Sequence, residues 1–270
     1  MTILSEFYKD AHVGPPGETF TLPLGWRYQW VAFGSVLENE ISSLRASAFD
    51  GTPGNVYGFA DQGWLGNYVS LNMQPGYISW WDYVGDAIND DIETALIVER
   101  NPANETVLSL GPIIGPQFAM QFDAQAAGTE VSRVGDPKVY TTYWPGYDPS
   151  EIFVSIEQDL HIDVPDWFDY SAQVRYDVKL YRTDAGGIDG YVAWVYTWVE
   201  GGILSSTIFD RLQPRMVAGA ATLTSALRAQ LAAFGGLNLA DLYLLPSTPP
   251  TPAAGDRGNA RDGSTLVLAF

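Results

Sequence analysis

The chain has 270 residues, of which 46% are hydrophobic and 13% aromatic, so it can bury a sizeable core and is not disordered. Its net charge of −18 argues against nucleic acid and anionic membrane surfaces as partners, because both require a basic footprint. The same charge favours cations, although it also serves solubility alone. The absence of cysteine excludes disulfides, zinc–thiolate sites and thiol nucleophiles.

The N-terminal segment has neither a basic n-region nor a long apolar stretch, so we expect no signal peptide. A cytoplasmic location, or release by a non-classical route, follows from that expectation. The sequence contains no run of about 18 apolar residues, which predicts no transmembrane segment.

Residues 3–100 contain an internal repeat. The pairs offset by 51 positions are Gly25/Gly76, Trp26/Tyr77, Trp30/Trp81, Gly34/Gly85 and Ile41/Ile92, and two pairs upstream, Phe7/Phe59 and Gly14/Gly66, are offset by 52. A turn between the upstream and downstream pairs would absorb the one-residue change. Such extended register predicts a duplicated module, with copies at about 3–48 and 54–100.

Each copy contains four short segments rich in β-branched and aromatic residues, separated by glycine, proline and aspartate turns. The predicted strands are 4–8, 19–22, 28–33 and 42–46 in the first copy, and 56–59, 68–71, 78–83 and 94–98 in the second. Four strands in each copy fit a Greek key, and two such keys fit a β-sandwich.

Two motifs recur in both copies: an aromatic residue, four residues, an aromatic residue, one residue and a glycine, and then a run of acidic and amide residues ending in hydroxyls. The second copy has Phe59, Trp64, Gly66 and the run 89–94, and the first has Phe7, His12, Gly14 and the run 38–43. This pattern resembles that of the βγ-crystallin superfamily. The resemblance covers about residues 3–100 and implies a double Greek-key domain at 1–105, with each corner glycine at positive φ.

The resemblance also implies calcium as the cofactor. Calcium takes about six to eight oxygen ligands, and in calcium-binding members of the family two loops side by side share each site. The implied ligands are the Glu40 main chain and the Ser42 side chain with Asp90 at one site, and the Asp91 main chain and the Glu93 side chain with Asn39 at the other.

Two residues depart from the family pattern. Glu38 stands where the family has Asn or Asp, and Glu93 stands where it has Ser or Thr. These glutamates either overreach the sites or ligate more strongly. Solvated acidic turns that have lost calcium are the alternative interpretation.

Beyond a boundary at 101–104, residues 106–247 are predicted to form an α+β domain with an antiparallel sheet and one long helix. The predicted strands are 107–110, 118–122, 139–143, 152–158, 173–181 and 191–199, with turns at 111–116 and 184–187. The strand 191–199 is apolar on both faces, which predicts a central position.

The long helix is predicted at 215–234, with Pro214 in its first turn and Gly235 and Gly236 at its end. Its apolar stripe is expected to cover the sheet. Residues 238–245 are a short helix or a strand. Residues 248–270 are a Pro/Gly-rich tail, with a loose linker at 248–264 and a candidate terminal strand at 266–270.

No catalytic constellation is found, so we expect no enzyme. The two histidines, His12 and His161, lie in different halves, and neither a nucleophile elbow nor a phosphate-binding glycine loop is present. Asp163, Asp166 and Asp169 are either an acidic loop or, functionally, a second cation site or a carboxylate pair for glycoside hydrolysis.

The sequence therefore predicts a calcium-binding protein with a structural, stress-related or interaction role. The alternative is a toxin-like or carbohydrate- or membrane-binding effector whose activity lies in the C-terminal domain. Its protein or carbohydrate partner would be contacted through exposed aromatic residues: Trp144, Tyr147, Trp167 and Phe168. Trp26, Trp30, Trp80 and Trp81 are interpreted as core and corner residues, and the adjacent pair Trp80 and Trp81 is expected to face opposite sides of a strand.

Overall fold

The computed structural model describes residues 3–23, 26–33, 39–48, 53–61, 65–73, 78–143, 152–166, 168–246 and 256–270. As predicted, the chain is mainly β, with several antiparallel sheets and one long helix. It divides into two compact units, each described here by itself. The first contains Met1–Thr106, Thr142–Ile152 and Leu245–Asp262, and the second contains Val107–Thr141, Phe153–Leu244 and Gly263–Phe270.

Several residues singled out in the sequence lie outside the described ranges. They are Gly25, Gly34, Glu38, Trp64, Gly76, Tyr77, Trp144, Tyr147 and Trp167, together with the side chain of Trp30.

All eight strands predicted for residues 3–100 are present in the first unit. They are β1 (Ile3–Asp10), β2 (Gly14–Thr21), β3 (Tyr28–Ala32), β4 (Ser43–Ala48), β5 (Gly54–Asp61), β6 (Leu65–Met73), β7 (Ile78–Trp81) and β8 (Thr94–Glu99). The order β2-β1-β4-β7 forms one antiparallel sheet, and β6-β5-β8-β3 forms the main part of another. Each sheet therefore takes three strands from one copy of the repeat and its fourth strand, β7 or β3, from the other.

The two copies share one hydrophobic core. Phe7, Phe20 and Phe33 pack edge to face, with ring centroids 4.8–6.0 Å apart. The repeated isoleucines Ile41 and Ile92 are fully buried in the same core. Full burial of such a side chain contributes about 1.5–3 kcal/mol, so each isoleucine anchors the acidic run in which it lies.

The strand register corrects the upstream alignment of the repeat. In β1–β4 the partner of Ser43 is Tyr8, and in β5–β8 the partner of Thr94 is Phe59. Because Ser43 and Thr94 are 51 positions apart, Phe59 corresponds to Tyr8, and the predicted match to Phe7 is wrong. Across the hairpins Gly14 likewise corresponds to Leu65, since their partners are Asp10 and Asp61. The offset of 51 therefore holds throughout, and the aromatic residue at 7 belongs to the core-facing side of β1.

The tryptophans of the first unit divide between core and surface. Trp81 packs against the core and donates its indole N–H to the carbonyl of Ser70 at 3.1 Å, whereas Trp80 is 56% exposed, as alternation along a strand requires. The exposure of Trp80 confirms that one member of the pair faces solvent, and Trp26, which is 50% exposed, does not lie in the core.

Residues 256–259 return to the first unit. A strand β15 (Asp256–Asn259) pairs antiparallel with β6 and extends its sheet to the order β15-β6-β5-β8-β3. Residues 256–259 were predicted as part of a loose linker, which is wrong. β15 pairs with the edge strand β6 through main-chain hydrogen bonds, which do not depend on particular side chains. The Gly/Asp-rich composition of residues 256–259 therefore did not indicate a strand.

The second unit contains a four-stranded sheet in the order β10-β11-β12-β13, formed by Val131–Tyr143, Ile152–Ile162, Tyr170–Arg182 and Ile188–Val199. Most residues of a three-stranded sheet also belong to this unit; the sheet has the order β14-β16-β9 and is formed by Asp241–Leu245, Thr265–Ala269 and Glu105–Ser109. The predicted terminal strand is thus present as β16. The predicted central position of 191–199 is wrong, because β13 is the last strand in its sheet and its Trp194 and Trp198 are 45% and 59% exposed.

Both helices differ from the prediction. Residues 111–122, predicted as a turn and a strand, belong to helix α1 (Gly111–Ala126). Its Phe118 and Phe122 lie one turn apart and are both buried, and this packing outweighs the interior Pro116. The long helix α2 (Ser205–Leu231) begins ten residues before the predicted start, so Pro214 lies inside it rather than in its first turn. As expected, α2 packs on the sheet, mainly against β13.

Candidate metal centre

The two acidic runs pair with each other through reciprocal main-chain hydrogen bonds. The N–H of Asn39 donates to the carbonyl of Ile92, and the N–H of Asp90 donates to the carbonyl of Ile41, both at 3.3 Å. Asn39 and Asp90 are 51 positions apart and share the left-handed backbone, with φ of 56° and 58°. Asn and Asp are the non-glycine residues best suited to that conformation. The two loops therefore lie side by side and make equivalent contacts with each other, as in an approximate two-fold symmetric pair.

The residue after each isoleucine connects its loop to both copies of the repeat. The N–H groups of Ser42 and Glu93 donate to the carbonyls of Tyr8 and Phe59 at 2.9 Å. Their carbonyls accept hydrogen bonds from the other copy, from Val84 N–H at 2.9 Å and Phe33 N–H at 3.2 Å respectively. Equivalent main-chain hydrogen bonds in the two copies of the repeat therefore fix the positions of both loops.

A hydroxyl then attaches each loop to a hairpin. Ser43 Oγ donates to the carbonyl of Asp10 at 2.6 Å, and Thr94 Oγ1 donates to the carbonyl of Asp61 at 3.1 Å. These two aspartates, also 51 positions apart, are brought beside the acidic runs. They were not among the predicted ligands, although their shared offset of 51 positions was a usable signal in the sequence.

The first predicted ligand set, Glu40, Ser42 and Asp90, is partly assembled. Ser42 Oγ donates to Asp90 Oδ1 at 3.1 Å. The carboxylate of Glu40 forms an ion pair with Lys9, with Nζ and Oε2 2.8 Å apart. The hydrogen bond to Glu40 raises the pKa of the Lys9 ammonium, and the charges of Glu40, Asp10 and Asp90 raise it further. A positive charge therefore accompanies this set.

The second predicted ligand set lines one open, polar cavity of about 550 Å³. Asn39, Asp91 and Glu93 all contribute to its wall. The other lining residues are Ala60, Asp61, Gly66, Asn67, Ala87 and Asn259. Asn259 lies in β15 and donates its side-chain amide to Asn67 Oδ1 at 3.2 Å. Sequence reasoning could not have found Asn259, because 192 positions separate it from Asn67.

The donor atoms of both sets suit a hard cation. Carboxylate, amide, hydroxyl and main-chain oxygens are the groups that calcium prefers, and the sets contain no thiolate or imidazole. Within the described ranges, no three His, Cys, Asp or Glu side chains are grouped so that they could hold a metal ion. The predicted sets depend on main-chain, hydroxyl and amide oxygens, which such a grouping does not include.

No protein-family model, curated protein or solved structure matches this chain.

The other candidate acidic cluster is less organised. His161 Nε2 and Asp169 Oδ2 are 3.6 Å apart, and the main-chain N–H of Asp163 donates to the carbonyl of Glu130 at 2.9 Å. Asp163 lines a cavity of about 400 Å³ whose lining does not include Asp166 or Asp169. The three aspartates therefore do not converge on that cavity.

Neither of the described α-helices is both long and apolar enough to cross a membrane.

Proposed function

We propose that the first unit is a calcium-binding module of the βγ-crystallin type and that the chain has a structural, stress-related or interaction role. The observation that carries this proposal is the reciprocal pairing of the two acidic loops through Asn39 and Asp90. Pairing brings oxygen donors from both loops to the same place, as shared cation sites require.

The strand order supports the fold assumed in this proposal. Two Greek keys that pack as one domain place two antiparallel sheets around a common core. The exchange of β3 and β7 between copies gives such a common core, and neither copy would complete its sheet alone.

The open cavity supports the proposed chemistry at the second ligand set. Glu93 is one of the two residues that depart from the family pattern, and its carboxylate has room in a cavity of about 550 Å³. A carboxylate supplies up to two oxygens and a full negative charge, where a serine hydroxyl would supply one neutral oxygen. On this proposal Glu93 strengthens the site.

Calorimetric titration of the full-length chain with calcium, in chelator-treated buffer, tests the proposal. The full chain is required because β15, at residues 256–259, completes the sheet that holds the second ligand set. We expect saturable calcium binding together with a calcium-dependent rise in melting temperature.

A double variant tests whether calcium binds at the two predicted ligand sets. Ser42→Ala with Glu93→Gln removes one side-chain donor from each ligand set and should abolish the binding heat. Glu99→Gln is the control, because it removes one carboxylate from the opposite end of β8 and should leave binding unchanged. No heat from the wild-type chain, or unchanged binding by the double variant, would overturn the proposal.

A second candidate function, ligand binding by the second unit, is favoured by a row of aromatic side chains on β13. Trp194, Tyr196 and Trp198 alternate along the strand, so they share one face, and they are 45%, 41% and 59% exposed. The guanidinium of Arg175 lies 4.5 Å from the ring centroid of Tyr196. Exposed aromatic faces bind sugars and protein side chains. A carbohydrate array probed with the full chain tests this candidate, and Trp194→Ala with Trp198→Ala should remove any signal.

A further inference from the structure

The two ligand sets differ at one structurally equivalent position. Lys9 and Ala60 both lie at the irregularity of a hairpin, between Tyr8 and Asp10 in β1 and between Phe59 and Asp61 in β5. They are 51 positions apart, the offset that the register gives for both strands. The first set therefore has a lysine where the second has an alanine.

The carboxylates around the two sets are otherwise matched. The charges of Glu40, Asp90 and Asp10 act on Lys9 at the first set, and Asp91, Glu93 and Asp61 line the cavity of the second. Three carboxylates therefore lie near each set, although neither trio is grouped so that its carboxylates alone could hold a metal ion. The Lys9 ammonium neutralises one of them at the first set, through its 2.8 Å ion pair with Glu40.

The surroundings of the two sets differ accordingly. The second set opens into the cavity that Ala60 lines. At the first set the Lys9 side chain extends to Glu40, and its ammonium group also interacts electrostatically with Asp10 and Asp90. The Lys9 and Glu40 side chains are 40% and 45% exposed, so water screens this pair in part. A divalent cation beside Glu40 would nevertheless meet the like charge of the ammonium and compete with it for the carboxylate.

We propose that Lys9 acts as a built-in cation at the first ligand set, so that the chain binds a single calcium ion, at the second set. This inference rests on the proposed calcium-binding function. Lys9 decides the stoichiometry without contributing a ligand, because an ammonium group donates hydrogen bonds and cannot coordinate a metal.

Counting bound calcium in the full-length chain tests the inference. Equilibrium dialysis and calorimetry should give one ion for the wild type, two for Lys9→Ala and none for Ala60→Lys. Lys9→Met repeats the test with the aliphatic part of the side chain kept and should also give two. The combination of Lys9→Ala with Ala60→Lys should give one ion, now sensitive to Asp90→Asn and insensitive to Glu93→Gln.

The outcomes separate this inference from the function on which it rests. Two ions in the wild type, or one ion in both the wild type and Lys9→Ala, would overturn the role of Lys9 and keep calcium binding. The absence of binding by the wild type, Lys9→Ala and Lys9→Met would overturn calcium binding and the inference with it. Circular dichroism of each variant confirms that a changed count does not reflect unfolding.

Discussion

Gly66 lies so close to Asp61 that a β-carbon on Gly66 would stand 2.5 Å from Asp61 Oδ2. The φ of Gly66 is +72°, which confirms the positive φ predicted for the glycine of the second copy, whereas Gly14 does not adopt a positive φ, so the prediction for the first copy is wrong. Gly66 and Asp61 both line the cavity of the second ligand set. The glycine therefore lets the backbone approach the carboxylate and holds the hairpin in the shape that places it there.

Gly66→Ala should lower the free energy of unfolding by at least about 1–2 kcal/mol, because an alanine in the left-handed region is strained and its β-carbon displaces Asp61. Urea unfolding of the first unit in metal-free buffer, followed by tryptophan fluorescence, measures the effect. In an Asp61→Ala background the same substitution should cost less, since the close carboxylate is gone. Equal costs in both backgrounds would contradict the contact.

The left-handed backbone at Asp90 gives a second prediction. Asp90→Gly should be more stable than Asp90→Ala by about 1–2 kcal/mol in metal-free buffer, because glycine adopts positive φ without strain. Neither variant keeps the carboxylate that accepts from Ser42, so the difference isolates the backbone. The matching pair at Asn39 should behave in the same way. An alanine variant as stable as the glycine variant would argue against this loop conformation.

Arg100 should be a major source of stability in the first unit. Its side chain is 7% exposed, and it donates to Glu105 Oε2 at 2.9 Å and to Asn55 Oδ1 at 3.0 Å. Arg100→Ala removes the closer arginine from the buried carboxylate of Glu105, which keeps Arg27 at 3.7 Å and the N–H of Asn101 at 2.8 Å, so we expect a loss of at most about 3–5 kcal/mol of unfolding free energy. Arg45→Ala is the control. The Arg45 side chain is 38% exposed, and loss of its ion pair with Glu6 should cost at most about 1 kcal/mol.

The second unit should lose stability at high pH through Tyr176. Burial raises the pKa of its hydroxyl well above the usual value of 10.0, and the hydroxyl donates to the carbonyl of Met216 at 3.2 Å. A raised folded-state pKa gives stability that is fully present below the unfolded-state pKa and is lost as pH rises above it. Between about pH 9 and about pH 11, melting temperature should therefore fall more steeply for the wild type than for Tyr176→Phe. Parallel slopes would contradict this assignment.

Calcium should stabilise the first unit by mass action. At a free calcium concentration about a hundredfold above the dissociation constant, the unfolding free energy should rise by about 2.7 kcal/mol for one site. Thermal melts with calcium and with a chelator measure the difference. Magnesium at equal concentration is the control for ionic strength, and an equal shift with magnesium would point to a non-selective effect of charge.

Most of the first unit could be predicted from the sequence because its signals are local or repeated. Turn residues and short β-branched segments gave all eight strands, and the pair Ile41/Ile92 located two loops that the structure joins. The upstream offset was wrong because Phe7 and Tyr8 are both aromatic, and only strand pairing shows which of them faces Ser43.

The second unit was harder because its decisive contacts are distant in sequence. Glycine and proline at 111–116 suggested a turn, yet the packing of Phe118 and Phe122 makes the segment a helix. The apolar composition of 191–199 suggested a covered strand, yet β13 ends its sheet with exposed tryptophans. Composition does not reveal which neighbours a strand acquires.

The sequence by itself determined the duplication and the strands of residues 3–100, since these depend on repeated local patterns, whereas the six proposed ligands came from the resemblance to a family. Only the tertiary structure decided how the strands exchange between copies, that residues 256–259 join the first unit, and that Lys9 faces one ligand set where Ala60 faces the other. These features depend on register between segments far apart in the chain, and register is set by the packing of the whole unit.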